Sequence, residues 1–432
     1  MRLKRVPASE WQWQRTQGAD TTRQDAVRAV IQAVRVEGDA AVRRFTAKYD
    51  GVAGATNPDF SLRVSPDAMA AAYAALAPAI REALERAADR IRNFHALQKR
   101  SDITRTGTDG ERLGLVWRPL QRVGVYAPGG RAAYPSTVLM NVIPAQVAGV
   151  PEIVLVSPPQ SDTGLPHPLV LAAAHLLGVD EVYRMGGAQA VAALAYGTES
   201  IRKVDKIVGP GNAYVAHAKR WVSGDVGIDN IAGPSEVFIV ADETANPAYV
   251  AADMLAQAEH DPDAGAVCVT THEPLADALD KALAQQLAAL PRRDVAAASL
   301  EAWGAVVVAK SMDEALAVVN RAAPEHVELL VAQPDRWLAR VHTAGAVFLG
   351  SHTPEPVGDY YAGTNHVLPT FGTARFASGL GVDDFVRRMS WVEYTPAALR
   401  AHAADIRALA EAEGLQAHAA AVAIREQEEE GP

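Results

Sequence analysis

Short apolar runs alternate with helical stretches from about residue 120 to 350, and this alternation limits the fold more than any other feature of the chain. The runs fall at 123–126, 153–156, 182–185, 206–208, 237–240, 267–270, 305–308, 327–331 and 346–349. Between most of them lie roughly 10–20 residues that are amphipathic or rich in alanine. A helix between two strands lets the second strand run parallel to the first. The pattern therefore predicts an α/β protein with parallel sheets and helices on both faces. Nine runs are many for one sheet, so two sheets are expected. The segments 22–48 and 66–98 read as helical, and beyond about residue 380 the pattern returns to helices, ending in the polar stretch EQEEE. That tail reads as a solvated end.

The glycine-rich loops 127–130, 186–187, 209–211 and 233–234 all fall in one part of the chain. They mark residues 123–236 as a nucleotide-binding-like, Rossmann-like unit. A second such unit is then discontinuous, built from 21–122 and 237–380, with residues 1–20 as an N-terminal extension and 381–432 as a helical C-terminal one.

Composition excludes several classes of function. The net charge of −10 repels an extended phosphate backbone, which argues against nucleic acid as the main partner. A single cysteine, Cys268, rules out an intrachain disulfide and suits a reducing compartment. Its apolar neighbours read as a buried strand, where a thiol is inert packing. The amino-terminal MRLKRVPASEWQWQR has basic residues but no apolar stretch behind them, so no signal peptide is expected. No apolar run approaches the length of a membrane span, and a cytoplasmic enzyme is the expectation.

Several groups of residues could carry chemistry. Gly209-Pro210-Gly211-Asn212 follows a strand and opens a helix, the setting in which backbone N–H groups meet a phosphate. Tyr214 stands where the dinucleotide fingerprint needs a third glycine, so a plain strand-to-helix turn fits equally well. Gln257 and His260 lie three apart on a segment that reads as a helix, and could reach one ion together. Two residues cannot hold a metal, and glutamine is an unusual ligand. Glu325 and His326 precede an apolar strand and could supply two proton-transfer groups, although adjacent side chains in an extended chain diverge. Two solvated loop residues would look the same. The stretch 357–366 is bracketed by glycine and rich in ligating groups, with Asp359 seven positions before His366. His418 lies so far along the chain that it reaches a site only if the tail folds back or docks on a partner. The zinc-hydrolase signatures H-E-x-x-H and H-x-x-E-H are both absent.

In order and wording these motifs resemble the histidinol dehydrogenase family. The segments are 123–142 (VGVYAPGGRAAYPSTVLMNV), 185–197 (MGGAQAVAALAYG), 208–215 (VGPGNAYV), 232–236 (AGPSE), 253–261 (DMLAQAEHD), 324–328 (PEHVE), 358–369 (GDYYAGTNHVLP) and 413–418 (EGLQAH). The resemblance runs over about residues 20–430. It implies an intertwined homodimer and one zinc ion per subunit, bound by Gln257, His260, Asp359 and, from the partner subunit, His418. It implies Glu325 and His326 as the acid/base pair. Ser235, His366 and Glu413 would hold the substrate with the zinc ligands and His326, while Tyr126, Gln189 and Asn212 would contact NAD. The implied reaction is the two-step, NAD-dependent oxidation of L-histidinol through L-histidinal to L-histidine, the last step of histidine biosynthesis.

Three rival readings are carried alongside. The first is a dehydrogenase of another small alcohol, such as a sulfonated diol, on the same scaffold; His366 and Glu413 suit a cationic substrate better. The second is a zinc hydrolase, against which the missing signatures weigh. The third is a non-catalytic nucleotide-binding protein, against which the intact Glu325–His326 pair weighs.

Overall fold

The structure is a computed structural model that describes residues 2–13, 21–129 and 134–426. Residues 14–20 of the N-terminal extension, 130–133 in the first glycine-rich loop and 427–430 of the polar tail lie outside the described residues. Chain contacts divide the protein into two compact units, Met1–Gln98 with Leu120–Phe385, and Lys99–Pro119 with Val386–Pro432.

The first unit holds two parallel sheets, and all nine apolar runs are strands in them. The five-stranded sheet runs in the order Glu181–Arg184, Glu152–Ser157, Arg122–Tyr126, Lys206–Val208, Gly227–Ile228. Its neighbours all pair in parallel. The chain adds strands first on one side of Arg122–Tyr126 and then on the other. The crevice at that reversal, at the carboxyl ends of Arg122–Tyr126 and Lys206–Val208, is where such sheets take ligands. Gly209 makes the turn there with φ 109°, and a Cβ on it would lie 2.2 Å from the Tyr126 carbonyl oxygen. Only glycine allows that close approach.

The six-stranded sheet has the order Lys4–Pro7, Ala305–Val308, Gly265–Thr270, Glu236–Ala241, His326–Leu330, Ala346–Leu349. Its central strands are buried along their length, which is why they read as unbroken apolar runs. Lys4–Pro7 carries no such run and was not legible as a strand. It is held at the edge by pairing with Ala305–Val308.

Helices cover both sheets. The two segments that read as helical each form two helices. Thr21–Glu37 and Asp39–Tyr49 meet at Gly38, whose φ is 57°, and Pro66–Ala74 is separated from Pro78–Ala96 just before a proline. Helices of residues 21–98 pack on the five-stranded sheet. Thr21–Glu37 lies against Gly187–Tyr196, and Pro78–Ala96 against Pro135–Ala148, both helices of the five-stranded sheet. The apolar faces Val27, Val30, Ile31 and Val34, and Leu84, Ala87 and Ile91, enter its two cores. An amphipathic helix announces that it has a partner without saying which one.

The second unit is the other departure. Where helices alone were expected beyond residue 380, Val386–Glu393 is a strand. It pairs antiparallel with Arg112–Pro119, which pairs with Ile103–Thr106. Two helices, Pro396–Ala412 and Gln416–Glu426, follow and pack on each other. Among the described residues no helix is long and apolar enough to cross a membrane.

Candidate active site

One cleft of about 1510 Å³ in the first unit is lined by Tyr126, Gln189, Asn212, Ser235, His260, Glu325, His326, Asp359 and His366. These come from two directions. Tyr126, Gln189 and Asn212 lie at the carboxyl ends of the five-stranded sheet. Ser235, His260, Glu325 and His326 lie where the chain enters strands of the six-stranded one, at their amino ends. The site therefore uses opposite ends of its two sheets.

On the five-stranded side, Tyr126 ends its strand, and its hydroxyl accepts from the Gly187 N–H at 3.0 Å. Gln189 is buried in the first turn of Gly187–Tyr196 and donates from Nε2 to Asp50 Oδ2 at 3.3 Å. Asn212 caps helix Ala213–Val222, accepting from the Tyr214 and Val215 N–H groups at 3.0 and 3.2 Å. The loop between is braced by a buried ion pair. Lys219 meets Asp229 and also donates to the Gly209 carbonyl at 3.0 Å, while Asp229 Oδ2 accepts from the Gly209 N–H at 2.7 Å.

On the six-stranded side, helix Met312–Ala322 ends at Ala323, whose φ of 50° is left-handed. For a residue with a Cβ this costs about 1–2 kcal/mol, and it turns the chain through Pro324 into Glu325 and His326. Glu325 Oε2 accepts from the Glu236 N–H at 3.1 Å, and its carboxyl also bonds the Ser235 hydroxyl. Burial, then the Glu236 and Asp359 carboxylates, push its pKa well above the usual carboxylate range. His326 opens its strand. Burial, with His260 and His366 nearby, lowers its pKa to about 3, so the ring is neutral. Although adjacent, the two side chains do not diverge. His326 Nδ1 is 3.7 Å from Glu325 Oε2, because Glu325 precedes the strand and is not bound by its alternation.

Helix Pro247–Ala258 carries Gln257 in its last turn, and His260 follows just past its end. The Gln257 amide nitrogen is still 3.4 Å from His260 Nδ1. Helix Glu355–Tyr360 brings Asp359, so that ligand atoms of His260, Asp359 and Glu355 all lie within 4.8 Å of one another. Burial raises the Asp359 pKa to about 7. Glu355 was missed by sequence reasoning. It precedes Asp359 by four residues and so shares its face, a relation that shows only once the segment is known to be a helix. Glu355 is buried, takes its place through an N–H bond to Glu328 Oε1 at 2.8 Å, and lies 3.7 Å from His326 Nδ1.

His366 is set beside these groups by its neighbour Asn365. The Asn365 amide donates to the Met140 carbonyl at 2.6 Å and lies 3.3 Å from the buried His95. Glu413 and His418 belong to the second unit, where Glu413 ends helix Pro396–Ala412, His418 lies in the first turn of Gln416–Glu426, and both are exposed.

Five polar atoms around this point are buried without a hydrogen-bond partner: Gln257 Oε1, both ring nitrogens of His326, Glu355 Oε2 and His366 Nε2. Each such group costs about 1–3 kcal/mol. Gathered in one place, they mark a site shaped for a polar ligand. Carboxylates and imidazoles this close together, with an amide oxygen beside them, also suit a divalent cation with nitrogen and oxygen ligands. Cys268 plays no part. It is wholly buried in its strand, with its thiol pKa pushed up to about 12 by burial.

Known proteins resemble this chain over nearly its whole length. The sequence profile described as histidinol dehydrogenase matches residues 13–426. The histidinol dehydrogenase of Geobacillus kaustophilus is 54% identical over 400 residues, covering 93% of this chain and 93% of that protein. That of Halalkalibacterium halodurans is 52% identical over 406 residues, covering 94% of each. The crystal structure of histidinol dehydrogenase from Elizabethkingia anophelis superimposes with a TM-score of 0.92 at 38% identity, covering 98% of both chains.

Proposed function

The chain belongs to the histidinol dehydrogenase family of NAD-dependent oxidoreductases, and from that premise we propose that it oxidises L-histidinol through L-histidinal to L-histidine, closing histidine biosynthesis. The observation that carries the reading is the union of two features in one cleft. A buried Glu325–His326 pair lies beside the His260–Asp359–Glu355 cluster.

The family implies a metal as well as NAD, and the unpartnered Gln257 Oε1 beside His260 and Asp359 fits one. We assign zinc, one ion per subunit. Gln257, His260 and Asp359 would hold it, completed by His418 of the partner subunit. When bound, it would serve as a template for the amine and imidazole nitrogens of histidinol, fixing the reacting carbon in place.

The proton chemistry belongs to the chain. The neutral His326 takes the hydroxyl proton as hydride leaves the same carbon for NAD, and an aldehyde results. Glu325, its carboxylate aimed by Ser235 and the Glu236 N–H, takes a proton from the water that adds to the aldehyde. His326 returns its proton to the carbonyl oxygen as the water adds, then deprotonates the resulting diol as the second hydride leaves for a second NAD, giving the carboxylic acid, which ionises to the carboxylate. Ser235 and His366, with Glu413 of the partner subunit, orient the substrate. Tyr126, Gln189 and Asn212 line the dinucleotide side. Keeping the aldehyde bound between steps prevents its loss to solvent.

A homodimer accounts for the exposed Glu413 and His418. Support comes from apolar side chains exposed on the same unit, among them Val392, Leu409, Leu415 and Ile424. We place the enzyme in the cytoplasm. The test is to follow NADH with L-histidinol and NAD, with and without a chelator. NADH formation that the chelator abolishes is expected. Turnover of a sulfonated diol but not of histidinol would favour the rival dehydrogenase.

A further inference from the structure

The amino end of helix Gly187–Tyr196 follows a strand of the five-stranded sheet and opens on the cleft. In a doubly wound fold this is where a phosphate meets backbone N–H groups. Here the position is already filled by the protein. Asp50, which follows helix Asp39–Tyr49, accepts through Oδ2 from the Gly186 N–H and from Gln189 Nε2, both at 3.3 Å. The Gly187 N–H is taken by the Tyr126 hydroxyl at 3.0 Å. A carboxylate thus occupies the anion position that a dinucleotide phosphate would otherwise seek.

Asp50 lines the same cleft as Tyr126, Gln189 and Asn212. Both of its bonds fall on Oδ2, and Oδ1 accepts from no group among the described residues. An ionised carboxylate is an acceptor only, so what it can take from a ligand is a hydroxyl. The nicotinamide must lie by His326, on the six-stranded side. Asp50 is bonded to Gly186 and Gln189, in the turn that follows the edge strand Glu181–Arg184 of the other sheet, so the part of the dinucleotide that reaches it is the adenosine end.

We propose that Asp50 is a specificity residue that accepts the hydroxyls of the adenosine ribose and repels a 2′-phosphate, so that the enzyme takes NAD and rejects NADP. This rests on the assignment of Tyr126, Gln189 and Asn212 to the dinucleotide side. The physical basis is that a like charge placed against a half-buried carboxylate is penalised, whereas a diol satisfies it. Tyr126, Gln189 and Gly186 then act through Asp50 as well as directly, by holding its carboxylate in place.

The experiment compares kcat/KM for NAD and NADP, with histidinol as substrate, in the wild type and in Asp50→Asn and Asp50→Ala proteins. The wild type should favour NAD, and both substitutions should lower that preference about 10-fold or more. The change should fall on the KM for dinucleotide and leave the KM for histidinol in place. Calorimetric binding of NADH and NADPH gives the same ratio without turnover, and a thermal melt checks that each variant is folded. A wild type indifferent to the 2′-phosphate, or folded Asp50 variants with an unchanged ratio, would overturn the proposal. Gln189→Ala and Asn212→Ala separate the two levels of inference. If they raise the KM for NAD while Asp50 leaves the ratio alone, only the role of Asp50 falls. If they too leave it unchanged, the placement of the dinucleotide falls with it.

Discussion

His326 Nδ1 lies 3.7 Å from Glu325 Oε2, although the two residues are consecutive in the chain. The approach exists because His326 is the first residue of its strand and Glu325 the last of the turn before it. The two groups can therefore address neighbouring atoms of one substrate while being tuned in different directions. Burial keeps the imidazole neutral and free to take a proton, and it raises the pKa of the carboxylate.

His326 is the base for both oxidations in this account. His326→Asn, which keeps a polar group of similar size, should slow each half-reaction by about 10²–10⁴-fold, the usual loss with a general base. Single-turnover measurements starting from histidinol and from histidinal check this. Rates near wild type in either half would remove His326 from that step.

Glu325 acts as the base toward water, so only aldehyde oxidation needs it ionised. Because its pKa is raised, the protonated form accumulates as pH falls through a value above the ordinary 4.5, and the aldehyde half-reaction should lose rate there. A histidine whose pKa lies near 3 stays neutral through that range and contributes no such limb. Glu325→Gln should harm aldehyde oxidation more than alcohol oxidation and abolish the acidic limb. Equal loss in both half-reactions, or an unchanged limb, would refute the assignment.

Much of the site could be read in the sequence, for identifiable reasons. Glu325 and His326 stand out because two titratable residues precede a buried strand, and Asp359 because a long polar loop follows one. Glu355 was hidden by its context, since a glutamate between two prolines looks like a solvated turn. Nothing local showed that its helix would turn inward. Asp50 was hidden for a different reason. It ends a helix far from the glycine-rich loops, and it meets Gly186 only because Thr21–Glu37 and Asp39–Tyr49 pack on the five-stranded sheet. Nine strands were legible as apolar runs, whereas Lys4–Pro7 and Val386–Glu393 were not, because these two are exposed or half-buried throughout and interrupted by charged residues. Non-local pairing, not local preference, makes them strands.

The partner's contribution is open to a subunit-mixing test. His418→Ala protein and His326→Ala protein should each be nearly inactive, and the former should be poor in zinc. After subunit exchange between them, one site of each hybrid dimer inherits neither change, so activity should reappear. Persistent inactivity of a mixture shown to contain hybrids would mean that His418 serves its own chain's site or none.

Lys219 and Asp229 are both almost fully buried, and together they hold Gly209 at the dinucleotide side. Lys219→Met leaves a buried carboxylate without its cation and should cost about 3–5 kcal/mol of stability. It should also raise the KM for NAD by loosening the 209–211 loop. Denaturant titration reads the first effect and steady-state kinetics the second. A loss below about 1 kcal/mol would show that the pair is not the brace described here.

The central claim is that one cleft carries a single bound substrate through both oxidations. It is tested most directly by the NADH formed when a limiting amount of L-histidinol is consumed to completion with excess NAD. The account predicts two NADH per histidinol, with histidine as the product and no free aldehyde captured by a trapping reagent. One NADH per histidinol, with the aldehyde released and trapped, would contradict it.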